Sequence, residues 1–308
     1  MTPTQKILFK IFLFLFPLVF LFGYIEYNLR TQHFVGSYAT KKYYFEQQLD
    51  SVETLVLGSS QTFNGVNPSC FTSKTFNLAN VSQTLYYDKK LTLQYLPKLK
   101  KLNTVIINIS YFSFFYQMCD ITENWREGFY DAYFNIAGKK KATSSLLFIN
   151  TYQPRHCVQL AFNNFKDESA ITILPNGYQP KFKQQLINDS VGLERVAIHN
   201  AENFANRKAE IENDLENFVQ ILTSKKIKVV FLTTPVFETY SKHCSKSVIE
   251  NNTNFITLLC KKYNCKYLNY FIDKRFVKED FEDNDHLKNN GANKLSCLIN
   301  DTLKMTHY

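Results

Sequence analysis

The sequence has no Cys-x-x-Cys pair, no internal repeat and no low-complexity tract. The first absence removes a zinc ribbon, and the others remove solenoid and tail-like architectures. Its seven cysteines (Cys70, Cys119, Cys157, Cys244, Cys260, Cys265 and Cys297) are odd in number and widely scattered, which excludes a compact disulfide framework. One isolated disulfide outside the cytoplasm stays open, and most of the thiols are read as small core residues. No stretch interleaves basic residues with aromatics, so nothing points to nucleic acid as a partner. The net charge of +9 is moderate for 308 residues. The lysine knots at Lys98, Lys100 and Lys101, at Lys139 to Lys141, and at Lys225, Lys226 and Lys228 read as solvated helix ends. Disorder is excluded by 45% hydrophobic content with 28 Phe and 19 Tyr. The length suits one large domain or two small ones.

The N-terminal stretch also lacks something. "ILFKIFLFLFPLVFLFGYI", Ile7 to Ile25, is apolar except for Lys10, and no small-x-small cleavage site follows it. No cysteine stands close behind it to carry a lipid. A helix of this length rises roughly 28 Å, enough to cross the hydrocarbon core. Pro17 does not forbid it. The expectation is an uncleaved single-pass anchor over residues 1–30. Lys6 and Lys10 place its N-terminus in the cytoplasm and the chain from about residue 30 outside, although Arg30, Lys41 and Lys42 weaken the asymmetry.

Beyond a linker at 31–50, apolar runs alternate with helical patterns. "VETLVLG" (52–58), "TFNLA" (75–79), "NTVIINIS" (103–110), "IKVVFLTTP" (227–235) and the weaker "CKYLNYF" (265–271) read as strands. Thr92, Tyr95, Leu96 and Leu99 give one amphipathic helix at about 83–100; Ile211, Leu215, Phe218, Val219 and Leu222 give another at about 200–225. This alternation predicts an α/β fold over 51–308, a parallel sheet covered on both faces as a three-layer sandwich. Residues 111–200 break the rhythm and read as a helical, aromatic-rich insertion, either covering a ligand site or packing a core of its own. Tyr111, Trp125 and Tyr130 within it are read as core, with sugar stacking as the alternative.

"VLGSSQTFNG" (56–65) places two serines at the carboxyl end of the first strand, where open parallel sheets hold ligands. A serine hydroxyl needs a base, and the base needs an orienting carboxylate. Of six histidines, His33 is near the membrane and His307 is terminal, while His156, His199 and His243 have no carboxylate that a local turn would aim at them. In "FEDNDHLKNNGANKL", Asp283 precedes His286 by three residues, so one helical turn would bring them together, with Asp285 pointing elsewhere. A solvated acidic loop and a metal site are the competing readings; no second ligand cluster supports the metal.

With these residues in view, the chain resembles the SGNH (GDSL-like) hydrolases, whose fold is a flavodoxin-like sandwich. "GSSQT" matches the family's nucleophile block, with Ser59 at the Asp position and Ser60 at the nucleophile. "DNDH" matches its "DxxH" block, with Asp283 and His286. In "NLANVSQT", Ser82 stands at the glycine whose N–H enters the oxyanion hole beside that of Ser60. In "VIINISYFS", Phe112 stands where the family has an asparagine donor. The resemblance covers about 50–110 and 226–304. It implies a Ser60-His286-Asp283 triad without cofactor or metal. With the anchor, the chain is similar to the membrane-tethered branch that includes D-alanyl-lipoteichoic acid transfer proteins and envelope O-acetyl-modifying enzymes. An esterase or O-acyltransferase acting on a cell-envelope glycan is the implied function. The alternative is an inactive glycan-binding or assembly protein, and a multipass membrane acyltransferase is an implied partner.

Overall fold

The computed structural model describes residues 2–139, 154–201 and 207–305. Its sheet has five parallel strands, β1 (Thr54–Leu57), β2 (Thr75–Asn77), β3 (Thr104–Asn108), β4 (Lys228–Thr233) and β5 (Lys266–Asn269). They lie in the order β2-β1-β3-β4-β5, the flavodoxin-like doubly wound arrangement. Each falls inside one of the five apolar runs. β1 and β3 are buried at every position, which is why they read as continuous apolar runs with no polar alternation.

Successive side chains leave the sheet on opposite faces. Val56, Ile106, Val230, Leu232 and Leu268 join Leu295 and Ile299 of the C-terminal helix Asn289–Lys304 in one core. Their neighbours Leu55, Leu57, Val105, Ile107, Val229 and Phe231 are buried as well. Helix Lys208–Ser224 packs on β4 and helix Lys246–Tyr263 on β5, and helix Leu85–Tyr95 packs against the first of these. The result is the expected three-layer α/β sandwich. Each fully buried branched side chain contributes about 1.5–3 kcal/mol, so the sheet core dominates the stability.

Some sequence expectations shift. The 83–100 helix ends at Tyr95 and continues as a 3-10 turn, Leu96–Lys98, because Pro97 lacks the N–H that would extend it. The later helix starts at Lys208; residues 202–206 lie outside the described residues, as do Lys140, Lys141, the rest of 140–153 in the insertion, and His307. Residues 37–46, read as linker, form a helix whose Lys41 is fully buried. Its Nζ donates to the Asn77 and Ala79 carbonyls and sits over the Phe63 ring. Burial holds this amine well below the usual lysine range. Of the seven cysteines, all free, Cys119, Cys157 and Cys244 are buried, so fewer belong to the core than expected.

The chain forms two compact units, residues 1–40 with 125–171, and residues 41–124 with 172–308. The first contains the apolar helix Pro3–Thr31, opened by a Thr2/Gln5 capping box and continuous through Pro17. Ile7 to Phe22 present large apolar side chains to the surroundings, whereas Ile25, Asn28 and Leu29 are buried. Tyr133 Oη donates to the Leu29 carbonyl at 2.7 Å, and Tyr38 stacks on Phe129 at 4.9 Å. The last turn of the apolar helix is therefore part of a folded unit. Tyr130 is fully buried there and Trp125 is 40% exposed.

Candidate active site

β1 ends at Gly58, whose φ of +128° is open to glycine alone. A Cβ at Gly58 would stand 2.3 Å from Asn108 Cβ at the end of β3, so glycine also lets the two strand ends close. The chain then turns into the short helix Ser60–Phe63. Ser59 is buried at its N-cap, a turn residue, and Ser60 is half-buried at the first helical position. Ser60 Oγ lies 2.8 Å from His286 Nε2. His286 Nδ1 lies 2.9 Å from Asp283 Oδ2 and 3.0 Å from Oδ1. The three residues named from the sequence thus meet in one line at the carboxyl end of the sheet.

The local reason for the Asp283–His286 contact differs from the expected helical turn. Residues 282–286 are non-helical. Asp283 Oδ1 instead accepts the backbone N–H groups of Asp285 (2.9 Å) and His286 (2.8 Å), a side-chain-capped turn that fixes the carboxylate. The expectation that Asp285 points away is also corrected. In this turn its Oδ1 comes within 3.4 Å of His286 Nδ1, and it is buried. Gln61 Nε2 donates to its Oδ2 at 3.3 Å, and Arg195 Nε pairs with its Oδ1 at 3.1 Å. Ser110 Oγ in turn donates to Gln61 Oε1 at 2.7 Å.

Burial alone would push His286 down, but the carboxylates of Asp285 and Asp283 outweigh it and raise the imidazole to about 9. Asp283 would rise on burial, yet the facing imidazole and its hydrogen bonds hold it well below the usual carboxylate range. Asp283, Asp285 and His286 offer three potential metal ligands. Here His286 Nε2 is engaged by Ser60, and a guanidinium sits on Asp285. The donor set therefore fits a proton-transfer line better than a cation.

Ser82 has a φ of +56°, a left-handed conformation that costs a residue with a Cβ about 1–2 kcal/mol. Its hydroxyl donates to Glu123 Oε2, which anchors the turn. The backbone N–H groups of Ser60 and Ser82 have no acceptor among the described residues. Both residues line a cleft of about 360 Å³, together with Phe112, Tyr116, Lys181, Arg195, His199 and His286. Phe112 offers no donor there. Tyr111 is buried in a neighbouring apolar cluster, so it is core and not a sugar platform. Gln61, Asp285, Arg195 and His199 carry no obvious signal in the sequence. The only available cue is that Arg195 and His199 stand four apart on helix Asp189–Ala201 and so share a face.

Behind the serine turn, the fully buried Asp88 accepts the Gly58 N–H (3.1 Å) and Gln83 Nε2 (2.6 Å) through Oδ1. Its Oδ2 and the nearby Thr84 Oγ1 have no hydrogen-bond partner among the described residues. Burial raises its pKa to about 7, against the opposing hydrogen bonds. The folded chain then keeps a proton that the unfolded chain releases above about pH 4. Asp88 therefore adds stability at low pH that is lost as pH rises through about 7, on the order of 4 kcal/mol in all. Asp88→Asn is expected to flatten the fall in thermal midpoint between pH 5 and about 7; an unchanged slope would refute this account.

No family model and no curated protein matches the chain. Among solved structures, it is similar to a GDSL-like lipase from Bacteroides thetaiotaomicron at 12% identity, covering 87% of this chain and 98% of that one, with a TM-score of 0.41. It is also similar to a lipase/acylhydrolase from Enterococcus faecalis at 12% identity, covering 82% and 96%, with a TM-score of 0.39.

Proposed function

We propose that the chain is a membrane-tethered serine esterase or O-acyltransferase of the SGNH type, acting on acyl groups of a cell-envelope glycan. One observation carries this reading, the Ser60 Oγ–His286 Nε2 contact of 2.8 Å with Asp283 on the far ring nitrogen. Neutral His286 takes the Ser60 proton as Oγ attacks an ester carbonyl, and Asp283 stabilises the imidazolium. The backbone N–H groups of Ser60 and Ser82 receive the developing oxyanion. The imidazolium then protonates the departing alkoxide, leaving an acyl-enzyme. Water or a sugar hydroxyl resolves it, and a multipass membrane acyltransferase is the expected partner if transfer is the outcome. Neither cofactor nor nucleic acid enters this scheme.

The test is labelling with a fluorophosphonate serine probe. Folded wild type should label and Ser60→Ala should not. A folded, unlabelled wild type that binds glycan would favour the second reading, a non-catalytic binding protein, which Phe112 supports because it supplies no donor in the cleft.

The anchor reading is supported by the apolar surface of helix Pro3–Thr31 and by its buried last turn. Such a helix suits a single-pass anchor or a signal sequence by length and composition. Cleavage near its end would remove Ile25 and Leu29 from a packed unit. Protease added outside intact cytoplasmic membranes should digest the chain beyond residue 30. Full protection, with working controls, would reverse the orientation.

A further inference from the structure

His199 is the candidate left over by the scheme above. It is 4% exposed, yet it lines the same cleft as Ser60, Ser82 and His286. Its Nδ1 lies 2.7 Å from the Tyr240 hydroxyl, which is itself fully buried. That hydroxyl has no other partner among the described residues, so it donates to Nδ1 and leaves the ring proton on Nε2. Phe112 packs against the ring with centroids 4.4 Å apart, which covers one face of the imidazole. Nε2 has no hydrogen-bond partner among the described residues. Burial, with the opposing carboxylates and the Arg195 guanidinium as lesser influences, lowers the ring to about 4. It is therefore a neutral imidazole at physiological pH and a poor base.

An acyl-transfer site needs preorganised donors where negative charge develops on the carbonyl oxygen. The cleft supplies two backbone N–H groups, and Phe112, which also lines it, offers no side-chain donor. Asn64 and Gln185 also line the cleft, but their amides are spent on the Gln179 carbonyl and on Glu282. Arg195 holds its Nε on Asp285, on the Nδ1 side of His286. We propose that His199 Nε2–H is the side-chain donor to the oxyanion in this active site, aligned by the Tyr240 hydroxyl and by the Phe112 ring. The inference rests on the serine-hydrolase reading. No bond to His199 forms or breaks; it holds its proton throughout, and the proton traffic stays on His286.

The experiment is steady-state hydrolysis of p-nitrophenyl acetate by the full chain in detergent, with folding followed by thermal melts. His199→Ala should lower kcat roughly 10²–10³-fold while KM changes by less than about threefold. His199→Gln, which keeps an N–H donor, should retain at least about tenfold more kcat than His199→Ala. Adding Phe112→Asn to His199→Ala should recover part of the loss. A kcat for His199→Ala within about threefold of wild type overturns the proposal, as does equal impairment of the Ala and Gln variants. If His199→Ala does not fold, Tyr240→Phe carries the test: it leaves the ring but frees its tautomer, so kcat should fall about tenfold, and an unchanged kcat overturns the proposal. Turnover by wild type that is lost in Ser60→Ala but kept in His199→Ala would sink this inference alone. Absence of wild-type turnover and probe labelling would sink the serine-hydrolase reading beneath it.

Discussion

Ser60→Ala and His286→Ala are each expected to reduce p-nitrophenyl acetate hydrolysis by roughly 10⁴-fold or more, and the double variant should be little worse than either. The reason is the shared 2.8 Å contact. Without Oγ there is no nucleophile, and without Nε2 the hydroxyl keeps its proton. Either loss leaves only binding and the oxyanion donors. Asp283→Asn should be milder, because the backbone N–H groups of Asp285 and His286 still fix the turn. Asp285 also remains within 3.4 Å of the same ring nitrogen. Losses that multiply in the double variant would mean that Ser60 and His286 act independently, which no triad allows.

The second large effect is on pH. Two carboxylates face one imidazole and raise it to about 9, and only neutral imidazole accepts the serine proton. The value of kcat/KM should therefore climb with pH, by roughly 50-fold between pH 7 and pH 9. Asp285→Asn should move this limb to lower pH, since it removes the leading cause of the upward shift and leaves the Arg195 guanidinium close by. The linked stability runs the other way. The folded imidazole binds its proton more tightly than the unfolded one, so His286 contributes stability that is complete below about pH 6.5 and lost as pH rises through about 9. Activity that is already flat from pH 6 upward in wild type would remove Asp285 from this role.

The sheet was legible because buried parallel strands need apolar side chains on both faces, and "TLVL" and "TVIIN" contain little else. Ser60 was legible from a glycine that ends the first strand, and Asp283 with His286 from a spacing of three. That spacing led to two side chains that do meet, but through a different geometry, because an Asx-type turn and a helical turn both bring residues three apart together. His199 with Tyr240, Arg195 with Asp285, and Gln61 with Asp285 were not legible. Their partners stand 41, 90 and 224 residues apart, and no local period encodes such contacts. Asp285 was misread for the same reason, since its direction is set by Gln61 and Arg195 and not by its immediate neighbours.

The apolar helix turns from an exposed apolar surface to a buried one before it ends, and this limits how the protein can be trimmed for work in water. Deleting the first 31 residues would strip Ile25, Asn28 and Leu29 from the unit that buries them and leave the Tyr133 hydroxyl without its Leu29 acceptor. A chain begun just before Tyr24 keeps that lid on the apolar interior and sheds Ile7 to Phe22. Of the two, the longer should stay monomeric without detergent, and the shorter should aggregate.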